Sequence, residues 1–330
     1  MRFKLVYSDA YDLPIGSHVF TGQKYRHVHQ LLIGSGAARP SDFVTPAPAT
    51  DDDVRLVHTE DYVRKLREGT LSAQEEMLLE LPFSPALVEA FWMHAGGSIL
   101  AAELALRDGV AVSLGGGFHH AFPEHGEGFC MIHDVAIALR RLLRHGQAAR
   151  AMVVDCDVHQ GNGTAVIFNP SLPKTAPTHG WSAPPAQAAR TVSVKEAEPG
   201  DVFTLSLHQE NNYPQWKPPS SLDVNLPDRM MDAEYLDWLD NALNLALRQF
   251  APDLIAYVAG ADPYRDDQLG GLSLTMDGLK QRDEVVFATA KNRRIPIFAT
   301  YAGGYAKNVQ DTVRIHANTV IAAQEVFGSR

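Results

Sequence analysis

The chain has 330 residues, 45% of them hydrophobic and 21% charged, an ordinary globular composition with ample apolar material for a large core. A formal net charge of −10 argues against direct binding of nucleic-acid phosphates, and no apolar run reaches the length of a membrane span. The two cysteines, Cys130 and Cys156, cannot build a disulfide framework, so a cytoplasmic setting is expected.

The first nine residues break off after three apolar ones, read as a strand, and lack the apolar stretch of a signal peptide. Residues 25–33 have helical spacing, so His27 and His29 do not share a face, and exposed histidines are expected there. A helix is expected over 85–107, followed by the strand Val110-Ala111-Val112-Ser113-Leu114, which runs into Gly115-Gly116-Gly117-Phe118-His119-His120. A helix over 134–145 precedes the strand Ala151-Met152-Val153-Val154, which ends in Asp155-Cys156-Asp157-Val158-His159-Gln160-Gly161-Asn162-Gly163. Residues 173–200 carry five prolines and many alanines without a clear period, and read as an exposed surface insertion. The rhythm resumes with a strand over 202–207, a helix over 233–249, and a strand over 254–258 leading to Gly260-Ala261-Asp262. A helix over 276–291 and a strand over 295–299 then deliver Gly303-Gly304-Tyr305.

This alternation predicts an α/β fold, a single domain over 1–330 built on a mostly parallel central β-sheet with helices on both faces. Ligands of such sheets bind beyond the carboxyl ends of the strands, which is where the unusual polar residues fall. In Asp-x-Asp-x-His every second side chain points the same way, so Asp157 and His159 can converge on one cation. Taken alone, that segment reads equally well as caps and turns. A lone His-His pair reads as capping or surface histidines, Asp262 as a cap, and Tyr305 as a half-buried tyrosine. Their joint occurrence at four strand ends favours a site.

Together these motifs resemble the histone deacetylase superfamily, of the arginase/deacetylase fold, and most nearly its class IV members and their bacterial relatives. The resemblance runs along nearly the whole chain and is densest at 115–120, 126–134, 155–163, 260–272 and 303–305, with a weaker match at Val57-His58-Thr59 and Tyr62-Val63. It implies a zinc hydrolase with Asp157, His159 and Asp262 as metal ligands. His119 and His120 match the pair that handles the attacking water and the leaving amine, oriented by Asp155 and Asn162, and Tyr305 matches the phenol that polarises the carbonyl. Gly128 and Phe129 match the wall of an acyl-lysine tunnel, faced by Tyr213. Asp155, Ser206 and Leu207 fall where the family holds a structural monovalent cation such as K+.

Asn162 stands where class I members carry aspartate, so no charge is expected behind His120. His133 stands where many relatives have Asn. Three functions remain open: deacylation of lysine in proteins, hydrolysis of acylpolyamines or other small acylated amines, and a weakly catalytic acyl-lysine-binding module. A two-metal ureohydrolase on the same fold would need aspartates where Asn162 and Tyr264 stand.

Overall fold

The computed structural model describes residues 1–169, the backbone of 192–194, and 201–328. The expected insertion at 173–200 lies outside the described residues, except for those three. Nine strands form one sheet among the described residues: β1 (Leu5–Val6), β2 (Phe43–Val44), β3 (Val110–Ser113), β4 (Ala151–Asp155), β5 (Val192–Val194), β6 (Val202–Gln209), β7 (Leu222–Leu226), β8 (Leu254–Val258) and β9 (Ile297–Thr300). Their order is β2-β1-β3-β9-β8-β4-β6-β7-β5. Every neighbouring pair is parallel except β7 with β5, the antiparallel edge.

The central strands are apolar on both faces and buried on both, which only helices packed against the sheet can satisfy. The helices are α1 (Lys24–Gly34), α2 (Asp51–Val54), α3 (Glu60–Glu68), α4 (Ala73–Leu79), α5 (Pro85–Asp108), α6 (Asp134–Arg144), α7 (Asn162–Phe168), α8 (Asp232–Gln249), α9 (Met276–Arg293) and α10 (Val309–Gly328). α5 packs on β3 and α6, while α1, α10, α9 and α8 form a contiguous row.

Local chemistry sets where these helices begin and end. Ser84 caps α5 by accepting from the Leu87 N–H, Pro85 occupies the first turn, and Gly109 ends the helix at φ +87°. The capping box of Ser72 and Glu75 starts α4, which stops at Glu80 in the left-handed region. His133 is fully buried as the cap of α6, accepting from Ala136, and its Nε2 bonds the Thr164 hydroxyl at 2.8 Å. His27 and His29 are half-buried rather than exposed, because the His29 ring stacks on Tyr7 at 4.2 Å. The strand expected over 295–299 starts at Ile297, since the Ile295 N–H still bonds Ala290 at the end of α9 and Pro296 has no N–H.

β3, β9, β8 and β4 are neighbours, so their carboxyl ends meet, with β6 next in line. One buried side chain joins two of these ends from below. Arg282 of α9 donates to the carbonyls of Cys156 (3.1 Å) and Gly260 (2.6 Å) and pairs with Asp283. Asp283 in turn accepts from the hydroxyls of Tyr257 and Thr319. Arg282→Leu leaves Asp283 buried without its cation, and a stability loss of about 3–5 kcal/mol is expected by urea unfolding.

Candidate active site

β4 ends at Asp155, and the next two outward-facing residues are Asp157 and His159. Asp155 Oδ1 accepts the Asp157 N–H at 3.1 Å, and Asp157 Oδ1 accepts the His159 N–H at 3.0 Å. From the end of β8, Asp262 Oδ1 accepts the Val158 N–H at 2.8 Å, which locks the two loops together. Asp157 Oδ2 accepts the Gly303 N–H at 2.9 Å, bringing in β9. Asp262 Oδ2 is buried with no hydrogen-bond partner, and His159 Nδ1 lies 3.3 Å away.

Donor atoms of Asp157, His159 and Asp262 lie within 4.8 Å of one another, the metal-type cluster found among the described residues. Two carboxylates and an imidazole, all buried, with one carboxylate oxygen unpartnered, fit a divalent cation. The electrostatics agree. Burial works to lower the His159 pKa, but its hydrogen bond to Asp157 and the charges of Asp157 and Asp262 lift it to about 10. Burial and the Asp157 charge raise Asp262 to about 7. Space for a cation depends on Gly303, where a Cβ would stand 1.9 Å from Asp262 Oδ2 and 2.6 Å from Asp157 Oδ2.

The loop after β3 is held from behind. Asp134 accepts from the N–H groups of Gly117 (3.0 Å) and Phe118 (2.8 Å), and His94 Nδ1 accepts from Gly116 at 3.1 Å. His119 and His120 follow, their rings 4.0 Å apart. His119 Nδ1 meets Asp155 Oδ2 at 2.7 Å, and His120 Nδ1 meets Asn162 Oδ1 at 2.8 Å. Burial opposes charge on both, but Asp155 and Asp157 overcome it at His119, lifting it to about 9. At His120, burial and the neighbouring His119 and His159 hold the pKa well below the usual histidine range.

A cavity of about 190 Å³ opens beside these groups, with His120, His159 and Tyr305 on its lining, Phe129 and Tyr213 along its wall, and Glu80 at its exposed end. Gly128 passes so close that a Cβ would meet the Tyr213 hydroxyl at 2.9 Å, and its φ is +52°. The Tyr305 N–H donates to Asp267 at 2.6 Å, and its hydroxyl stays protonated because burial and the nearby acids push its pKa far up.

The expected residues therefore gather in one place. Asp155 and Ser206 are register partners, with Leu207 next in β6, and the Ser206 hydroxyl bonds His208 Nδ1 at 2.9 Å. Cys156 is buried on the far side near Tyr235, and Cys130 is buried in the core. Sequence reasoning missed Lys24, which is fully buried, donates to the Ala302 carbonyl at 2.6 Å, and lies 4.4 Å over the Phe20 ring. Burial lowers its pKa to about 8. His94 gave no local signal either, whereas Asp134 closes the 126–134 motif.

The histone deacetylase domain family model matches residues 18–320. The chain is 38% identical to an uncharacterized protein of Picosynechococcus sp., over 99% of this chain and all of that one. It is 30% identical to histone deacetylase 2 of Arabidopsis thaliana, over 97% of this chain and 78% of that protein. The crystal structure of an HDAC homolog from Aquifex aeolicus superposes with a TM-score of 0.76 at 22% identity, over 100% of this chain and 85% of that chain, a likeness of fold.

Two predictions follow from the cluster's geometry and charge. Gly303→Ala is expected to weaken metal binding by about 10–100-fold or more while leaving the circular dichroism spectrum unchanged. Cation binding must also expel the protons held by His159 (to about 10) and Asp262 (to about 7). Affinity therefore rises with pH, more steeply below pH 7, where both protons leave, than above it, where only that of His159 does. Calorimetry in buffers of different ionisation enthalpy measures the release; binding without proton release at pH 6 would contradict it.

Proposed function

The chain belongs to the histone deacetylase family, and on that premise we propose that it is a zinc-dependent amidohydrolase removing acetyl or other acyl groups from lysine side chains of proteins. One observation carries the reading: two histidine–acceptor pairs and a three-residue metal cluster lie together at neighbouring strand ends, and from them His120 and His159 face one cavity shared with the buried phenol of Tyr305.

Asp157, His159 and Asp262 would hold the zinc. Bound there, zinc supplies a Lewis acid for the amide carbonyl and makes a water more acidic. The chain's own groups then divide the proton work. Asp155 fixes the His119 ring through Nδ1 and, with Asp157, makes it the more basic of the pair; a cation held by Asp157 would offset that carboxylate's charge and bring His119 down from about 9 towards neutrality, where Nε2 can accept a proton from water. His120, neutral at rest because its pKa is held low, has no proton of its own at Nε2, so its part is to pass to the departing amine the proton taken from the water, which its weak basicity makes it ready to give up. The Tyr305 hydroxyl, protonated at any physiological pH, donates to the oxyanion that develops on the substrate carbonyl. Phe129 and Tyr213 give the cavity aromatic walls suited to a methylene chain, and Glu80 sets an acid at its exposed end.

That acid favours a cationic carrier, which acylpolyamines share with lysine-rich peptides, so a small acylated amine is the second reading. The acceptors behind both histidines and the presence of Tyr305 speak for turnover rather than mere binding. A K+ ion beside Asp155, Ser206 and Leu207 belongs to the same proposal, as does a cytoplasmic setting, supported by two free, buried cysteines. No described helix is long and apolar enough to cross a membrane.

The zinc-loaded protein should hydrolyse acyl-lysine peptides or acylpolyamines of graded acyl length; hydrolysis of none would sink the proposal. Tyr305→Phe should lose about 2.7–4 kcal/mol of transition-state stabilisation while keeping its zinc, checked by kcat and metal analysis.

A further inference from the structure

We propose that Glu127 is a positioning residue for this reaction, the last member of a hydrogen-bonded chain His120–Asn162–Glu127 that sets a carboxylate behind the second histidine. The inference rests on the hydrolase reading above.

The chain is continuous. His120 Nδ1 meets Asn162 Oδ1 at 2.8 Å, and Asn162 Nδ2 donates to Glu127 Oε1 at 2.7 Å. The first two members are no more than 4% exposed, and the Glu127 side chain is 14% exposed. A carboxylate only accepts, so Asn162 must turn its NH2 group to Glu127 and its oxygen to His120. The Gly163 N–H, 3.1 Å from the same Asn162 oxygen, demands the same orientation. His120 Nδ1 is therefore the donor, which leaves Nε2 as the atom that handles protons.

The sequence suggested that no charge stands behind His120. The structure puts one there, a single amide further away than an aspartate at position 162 would put it. A proton taken up by His120 is felt at Glu127 through the polarised amide. The other neighbours of Glu127 are His125, whose Nε2 lies 3.4 Å from Oε2, the Tyr213 hydroxyl at 2.8 Å from Oε1, and Glu80, whose pKa is raised by burial and by the Glu127 charge. One carboxylate thus holds both the proton-transfer histidine and a tyrosine of the tunnel wall.

Exchanging acid and amide along the chain tests the assignment. Asn162→Asp sets a second carboxylate within hydrogen-bond reach of Glu127, where the two must share a proton. Adding Glu127→Gln restores one acid and one amide in reversed order. On an acetyl-lysine peptide, Glu127→Ala is expected to lower kcat about tenfold, a fraction of the full acid–base contribution. Asn162→Asp is expected to lose at least as much, and Asn162→Asp/Glu127→Gln to recover about threefold or more over Asn162→Asp alone. A Glu127 that merely fills space would give losses that add, with no recovery. The same cycle read as melting temperature needs no substrate: Asn162→Asp should lower it and the exchanged pair should regain it. Wild-type kcat retained to within about twofold in Glu127→Ala, or an exchanged pair that recovers neither kcat nor melting temperature, would overturn the inference. A wild-type protein inert towards every acyl amine would overturn the proposed function instead, and the melting-temperature cycle would still decide whether the chain exists.

Discussion

Asp155, Asp157 and Asp262 are each no more than 2% exposed, and the fold must solve the problem of three carboxylates packed together away from water. An uncompensated buried carboxylate costs several kcal/mol, so each oxygen needs a donor or a cation. The backbone supplies most of the donors: the N–H groups of Asp157, Val158, His159 and Gly303 all point inward. Arg282 strengthens this arrangement at a distance. Its guanidinium holds the Cys156 carbonyl, whose peptide N–H belongs to Asp157 and donates to Asp155, which in turn holds His119. Its second contact, the Gly260 carbonyl, belongs to the peptide whose N–H on Ala261 bonds Gly303. One buried cation beneath the sheet therefore polarises both loops that carry the metal-type ligands.

What remains after every backbone donor is counted is the Asp262 oxygen with no partner, and it faces the imidazole of His159. With the other carboxylate oxygens of these three aspartates partnered, the cluster is organised for a cation. The glycine at 303 fits the same logic, because any side chain there would fill the space next to that oxygen. This makes the cluster different from a set of helix caps, the alternative that its spacing alone allowed.

Much of this was legible in the sequence because it depends on local pattern. The runs ending at Ser113, Asp155, Val258 and Thr300 are apolar and β-branched, and their polar residues follow directly at the strand ends. β1 falls within the first nine residues, which read as a strand, whereas β2, two residues long, carries little periodic signal and β7 alternates too briefly to stand out. Lys24, His94, Glu127 and Arg282 escaped for another reason. Each acts through a partner that is distant in sequence, Lys24 on Ala302 and Arg282 on Cys156, and no spacing rule reaches that far. Glu127 lay inside a recognised motif, but its meaning appears only once Asn162 and Tyr213 are brought to it.

The chemistry and the cavity wall are carried by different parts of the fold. The reacting groups hang from the ends of adjacent parallel strands, whose geometry is fixed by the sheet. The wall is borne by α4 and its exit: the Gly128 and Phe129 N–H groups bond the carbonyls of Leu78 and Leu79, and Glu80 takes a left-handed turn to reach the mouth. α4 is a seven-residue helix with a solvated face, held by a capping box and by the Lys65–Glu75 ion pair at 3.0 Å, so it can change without disturbing the sheet. Glu127 is the exception, because it bonds both Tyr213 of the wall and Asn162 behind His120. A change of substrate preference by variation in α4 can thus leave the strand-end chemistry intact, whereas any change that displaces Glu127 must alter the wall and the proton path together.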